Sequence, residues 1–276
     1  MSVVINTNIP SIAAARHLAS ARAGALSASQ KLASGIRINT AADDAAGLTV
    51  ASKMRADVAS LNQSLRNVND AMSMIGVYLG AADEVEKIFL RGRELAIQAS
   101  TGTYTQVDLD NAQLEYRELI TNEITRIKSS TAFNTLPVAD DNLQVTFQVG
   151  PGVGDKVSLT FPSLNAGTLM NGPPGNLAQP PPMGAQFALE QIDEGLTALN
   201  EARTRVAAMS NRLEYTASVL MSVSEATQAA LSRVQDTDFA METASLARFG
   251  VLTQAASAML AQSNQTPRYV LSLLRT

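Results

Sequence analysis

Apolar residues recur in steps of three and four through the first half of the chain. Ala51, Met54, Val58, Leu61, Leu65, Val68, Met72, Ile75, Leu79 and Ala82 hold one register with no polar member. That alternation predicts a long helix whose apolar seam packs against another helix in the manner of a coiled coil. The register then slips to Val85, Ile88, Gly92, Leu95 and Ala99, a break that alters local supercoiling. Asp43 and Asp44 stand just ahead of the stripe, where carboxylates cap a helix and meet the positive end of its dipole. Gly102 among threonines predicts the end of this helix. A second helix is expected from Val107 to Ser129, with Leu109, Ala112, Tyr116, Ile120, Ile124 and Ile127 on its apolar face.

The second half repeats the pattern. Leu189, Ile192, Leu196, Leu199, Val206, Leu213, Ala217, Leu220, Leu231 and Val234 share a three-four register, interrupted by Arg203, Ser210, Ser224 and Thr227. Two such stripes must pair with each other or with another chain, an ordinary soluble helical bundle being the lesser, competing reading of the pattern. Between them the period changes to two. Leu143, Val145, Phe147 and Val149 alternate with polar residues, Gly150–Asp155 forms a loop, and Val157, Leu159 and Phe161 alternate back, which predicts a β-hairpin. Residues 162–184, rich in Pro, Gly and Asn, are expected to form a surface loop. The ten prolines leave 11–136 and 183–266 free, as long helices require. The expected fold is mostly α: long antiparallel helices in a coiled-coil-like bundle with one small β-hairpin region at the centre.

Composition narrows the function classes. Hydrophobic residues make up 46% of the chain, yet aromatics only 4% and Trp is absent, which suits close helix seams better than a thick enzyme core. The net charge of −4 carries no basic stripe of the kind nucleic acid demands. No apolar run is long enough to span a membrane, and the N-terminus lacks the pattern of a cleaved signal peptide. Cysteine is absent, and His17 is the single histidine, so neither a thiolate site nor a Cys–His nucleophile can be built. The acidic pairs Asp43–Asp44 and Asp140–Asp141 are explained by capping and turns, because adjacent carboxylates seldom straddle a scissile bond. Gly150, Gly152 and Gly154 sit at a hairpin tip rather than at a strand-to-helix turn, so they are not a phosphate cradle. Met54, Met72, Met74, Met209, Met221, Met241 and Met259 sit mostly at helical spacing and are expected to serve core packing rather than metal or cofactor binding. No enzymatic chemistry and no cofactor is expected.

The chain ends carry a resemblance. VINTNIPSIAAARHL near the start, LASGIRINTAADDAAGLTVASKM at 32–54, LNQSLRNVNDAMSMI at 61–75 and RGRELAIQAS at 91–100 resemble the N-terminal signature of bacterial flagellins. SRVQDTDFAMETASLARFGVLTQAASAMLAQSNQTPRYVLSLLR at 232–275 resembles their C-terminal signature. The resemblance implies a subunit exported unfolded through the flagellar type III export machine, with help from an export chaperone. Outside the cell it would polymerise through its terminal helices, with cap and hook-associated proteins as partners, into the filament of swimming motility. By residues alone the chain would be placed in the cytosol; the resemblance overrules that. It also implies a division into terminal helices, 1–43 and 235–276, pairing as the inner-tube domain D0, and a long-helix domain D1 over 44–234. The exposed centre at 140–184 would replace the larger insertions of many members. Ala42, Leu90 and Thr276 depart from the usual residues. A hook–filament junction protein and a secreted coiled-coil adhesin are the alternatives.

Two further expectations concern named surfaces. Thr146, Ser158, Thr160, Ser163 and Thr168 lie on or beside the hairpin and are expected to face solvent as glycosylation sites, plain surface polarity being the competing explanation. The resemblance also implies recognition by Toll-like receptor 5 at Arg91, Leu95 and Glu115, residues that contacts between neighbouring subunits would explain as well.

Overall fold

A computed structural model describes residues 7–140, 142–178 and 183–273, with the backbone alone over 266–273. The chain is 75% helical, with two small two-stranded antiparallel sheets in the middle. Its helices are α1 (Ile9–Ser34), α2 (Ala45–Ala99), α3 (Gln106–Arg117), α4 (Ile124–Ser130), α5 (Ala166–Leu169), α6 (Met183–Gln235) and α7 (Phe239–Leu273). The strands are β1 (Ala132–Phe133), β2 (Leu136–Pro137), β3 (Leu143–Gln148) and β4 (Lys156–Phe161). Two compact units emerge, Asp57–Glu225, and Met1–Ala56 with Ala226–Thr276. Their boundaries fall inside α2 and α6, so each of these helices belongs to both units.

In the unit Asp57–Glu225 the predicted stripe of α2 is the seam of the core. Leu61, Val68, Ile75 and Ala82 are buried, and Leu65, Met72 and Leu79 are partly so. From Ala71 onward a second row, including Met74, Tyr78, Phe89 and Ala96, is buried as well. The buried face widens because α2 has several neighbours here rather than one. Arg93 and Arg203 link it to α6, Tyr78 packs its ring 5.5 Å from that of Phe161 on β4, and Gly92 lies against Ile120. A Cβ on Gly92 would stand 2.9 Å from Ile120 Cδ1, so glycine is what allows that approach.

The helix expected over 107–129 runs from Gln106 to Ser130, but with a π turn over Glu118–Glu123. Tyr116, Ile120 and Ile124 are all buried at spacings of four. In a regular α-helix each four-residue step overshoots a full turn by about 40°, and the wider π turn takes up that drift. A capping box starts α3: the Thr105 hydroxyl accepts from Asp108 N–H, and the Asp108 carboxylate accepts from Thr105 N–H at 3.0 Å.

The predicted hairpin is β3–β4, with Val145 opposite Leu159 and Phe147 opposite Val157. It does not stand free. Leu159 and Phe161 are buried in the core, Tyr78 Oη donates to Pro162 O at 3.0 Å, and Asn67 Nδ2 donates to Gln148 O at 2.8 Å. A second hairpin, β1–β2, was not expected; Asn134 and Thr135 turn it with φ of 47° and 68°.

Residues 162–178 correct the expectation of a surface loop. Leu164, Leu169, Met170 and Leu177 are buried, and Gly175 would place a Cβ 2.9 Å from Ala188 Cα of α6. The segment is tied down by Leu164 N–H to Ala139 O at 3.1 Å, Gln191 Nε2 to Pro173 O at 2.9 Å and Gln106 Nε2 to Ala178 O at 2.9 Å. Four apolar side chains placed without periodicity among Pro, Gly and Asn do the anchoring, which a search for period two or 3.6 passes over.

Candidate assembly interface

The unit at the chain ends is built on α1 packed antiparallel to α7. Asn8 caps α1 by accepting from Ser11 N–H at 3.1 Å, and its amide donates to Ser263 O at 2.9 Å. Ser11 Oγ adds a bond to Asn264 Oδ1 at 2.7 Å. At the opposite end Gly35 closes α1 with φ 71°, Arg37 N–H donates to Gln235 O at 2.7 Å, and Thr237 N–H donates to Gly35 O at 3.0 Å. The two acids ahead of α2 divide the work. Asp44 caps it through Gly47 N–H at 2.9 Å, while Asp43 accepts from both Thr40 N–H and Thr40 Oγ1 at 2.9 Å. Those bonds hold the Asp43 carboxyl below the usual range.

The pair is well tied at both ends but thinly packed between. In α1 only Ala21 and Ala28 are buried, whereas Ile9 is 67% exposed and Leu26 and Ile12 also face outward. On α7, Phe239, Met241, Val251, Leu252 and Met259 are exposed. A cavity of about 490 Å³ lies between the two helices, walled by Ala13, Ala14, Phe249, Leu252 and Met259, with His17 at its wall. A helix pair that fully buries only two alanines and leaves large apolar groups outside is suited to binding further helices rather than to standing alone.

Arg91 and Glu115, two of the residues that the resemblance singles out, lie together, with Arg91 Nη2 2.8 Å from Glu115 Oε1 and Nη1 2.9 Å from Glu94 Oε2. Both carboxylates hold the Arg91 guanidinium more firmly protonated than usual. Leu95, at 2% exposure, is not on that surface; the leucine beside Arg91 that reaches solvent is Leu90. Thr146, Ser158, Thr160 and Thr168 are exposed, the first two sharing a hydrogen bond of 3.2 Å. Ser163 is 3% exposed and its hydroxyl accepts from Asn165 N–H, so it does not face solvent as expected.

Asp140 is paired with Lys128 at 2.5 Å, and its neighbour Asp141 lies outside the described residues. Among the described residues no three His, Asp or Glu side chains gather as metal ligands, and no helix is long and apolar enough to cross a membrane. Sequence reasoning missed the cross-helix ions. Arg203, read as a break in the α6 stripe, bonds Asp83 and Glu86 on α2, and Arg93 bonds Asp193 at 3.0 Å. An arginine inside an apolar register opposite two acids was the available signal.

The family model for the bacterial flagellin N-terminal helical region matches residues 5–141, and that for the C-terminal helical region matches 189–274. A flagellin of Halalkalibacterium halodurans is 41% identical over 274 residues, covering 99% of this chain and all of that protein. The flagellar filament 31.3 kDa core protein of Treponema maltophilum is 34% identical over 287 residues, covering 99% of this chain and all of its own. Among solved structures, a candidate flagellar hook-associated protein from Vibrio parahaemolyticus shares the fold at a TM-score of 0.57 with 12% identity, covering 70% of this chain and all of that one.

Proposed function

The chain belongs to the bacterial flagellin family and is a structural subunit of the flagellar filament; from that premise we propose that α1 and α7 are the inner-tube domain, D0, and that their exposed apolar residues are completed only by neighbouring copies. The long-helix region over 44–234 is then D1. The observation that carries the reading is the terminal pair itself, which among its described side chains fully buries only Ala21 and Ala28 and leaves Ile9, Leu26, Phe239, Val251 and Met259 outside. Burying such groups stabilises by about 25 cal/mol per Å2, and repetition over many copies supplies what one pair lacks. Terminal helices of this kind order as they polymerise.

The subunit works outside the cell. It leaves unfolded through the type III export machine, accompanied until then by a chaperone, and adds beneath a cap. The absence of cysteine and scarcity of bulky aromatics suit such passage. Arg91 and Glu115 form the polar part of a Toll-like receptor 5 contact, with Leu90 rather than Leu95 as its accessible apolar neighbour. Thr146, Ser158, Thr160 and Thr168 remain the glycosylation candidates, and Ser163 leaves that set.

Seeded polymerisation of purified monomer tests the central point. Long hollow filaments in electron micrographs are expected. Short caps or junctions on hook ends would instead support a hook–filament junction protein. Full-length identity of 41% to a flagellin, against 12% to the hook-associated fold, favours the filament.

A further inference from the structure

Of the ten methionines, Met74 and Met170 are sealed in the core at 1% exposure, whereas Met241 and Met259 on α7, expected from their spacing to be core packing, are instead open at 71% and 65%. Met259 also walls the apolar cavity between α1 and α7, beside Leu252 and Phe249. Both thioethers are thus largely exposed in the monomer, and they sit on the surface through which copies are proposed to join. We infer that Met241 and Met259 are peroxide-sensitive modification sites that gate assembly, a reading that rests on the proposed role of the terminal pair.

The chemistry is self-contained. A sulfur lone pair attacks one peroxide oxygen, the O–O bond breaks, and the departing hydroxide takes up the remaining proton as water. The sulfur is oxidised by two electrons to a sulfoxide and hydrogen peroxide is reduced by two. The product is a flexible apolar side chain turned into a strong acceptor. On an exposed helix face the acceptor is solvated and the monomer is undisturbed. Against apolar groups of a neighbouring copy it is buried without a donor, at a cost repeated in each subunit. Once a copy is seated over α7, the same contact shields the thioether, so free monomer oxidises and filament resists.

The test compares the full chain with Met241→Leu/Met259→Leu, and with Met183→Leu/Met221→Leu as a control that removes the other two methionines exposed among the described residues. Each is treated with hydrogen peroxide as monomer, mapped by peptide mass spectrometry, checked by circular dichroism and seeded. Oxidised wild type and oxidised control should remain helical, carry one added oxygen on Met241 and Met259, and show a critical concentration raised about tenfold, equivalent to about 1.4 kcal/mol. The Met241→Leu/Met259→Leu chain should assemble equally well before and after peroxide. Equal assembly of oxidised and untreated wild type overturns the inference. So does equal loss in the Met241→Leu/Met259→Leu chain, which would put the sensitive sites elsewhere. Failure of untreated wild type to assemble at all would strike the terminal-pair reading instead.

Discussion

Gly175 and Asp43 show how much of this protein rests on single positions. Gly175 faces the backbone of Ala188, whose Cα and N would lie 2.9 and 3.1 Å from an added Cβ. A helix backbone cannot swing aside as a side-chain tip can. Gly175→Ala should therefore cost about 1–3 kcal/mol in urea denaturation, and an unchanged midpoint would mean that the strap lifts without penalty. Asp43 makes a prediction about pH. Its folded pKa is depressed, chiefly by the backbone and hydroxyl of Thr40. Its contribution is thus complete above the unfolded value of about 3.9 and is lost as pH falls through the folded value. A carboxyl titration by NMR should place the Asp43 midpoint below about 3.9, and Thr40→Ala should move it upward. The capping role of the two acids was legible in the sequence, because short carboxylates before a helix have few other uses. Which acid caps and which holds the turn was not, since that depends on a backbone path that periodicity does not encode. Leu95 and Leu90 teach the same limit. Both are leucines in one helix, and only the packing of α3 and α6 decides which of them meets solvent.

Helices were read well and the segments between them less well. The spans of α2 and α6 follow from uninterrupted apolar registers and absent proline, signals that survive any tertiary context. The burial of 162–178 could not be seen, because its anchors obey no period. Arg203 in the seam was visible but misread, since its ion pairs depend on partners more than a hundred residues away. Arg203 is partly buried and reaches two carboxylates at once, so its loss should exceed that of an ordinary surface pair. Arg203→Met is expected to lower stability by about 1 kcal/mol. A double-mutant cycle with Asp83→Asn should return a coupling of about half that, and zero coupling would reduce the contact to decoration. At the start of α3, Thr105→Ala removes one arm of the capping box and should cost about 1 kcal/mol, read from the same denaturation curves.

For the molecule as a whole the contrast between its two units is a statement about dependence. The unit Asp57–Glu225 holds the large buried cluster, whereas the pair α1–α7 buries mainly alanines. Deleting residues 1–43 and 236–276 should leave a monomer that is mostly helical and melts cooperatively, but forms nothing that pellets after seeding. A truncated chain that still polymerised, or lost its cooperative melt, would defeat the division. One structural feature reaches further. The ion pairs Asp83–Arg203 and Arg93–Asp193 tie α2 to α6 at two places, ten residues apart on either helix (93 − 83 and 203 − 193). Two antiparallel helices pinned at matched intervals behave as the two sides of a zip. One residue inserted between the pins on either side rotates everything beyond it by about 100° and misaligns every later tooth. Variation in length can enter such a scaffold only as balanced insertions, close to whole heptads on both helices, or beyond the pins in the centre of the chain. An engineer seeking to display a foreign peptide on this subunit therefore has a rule in hand: splice it at the tip between β3 and β4, where Val153 already stands in open water, and leave the spacing of the pins untouched.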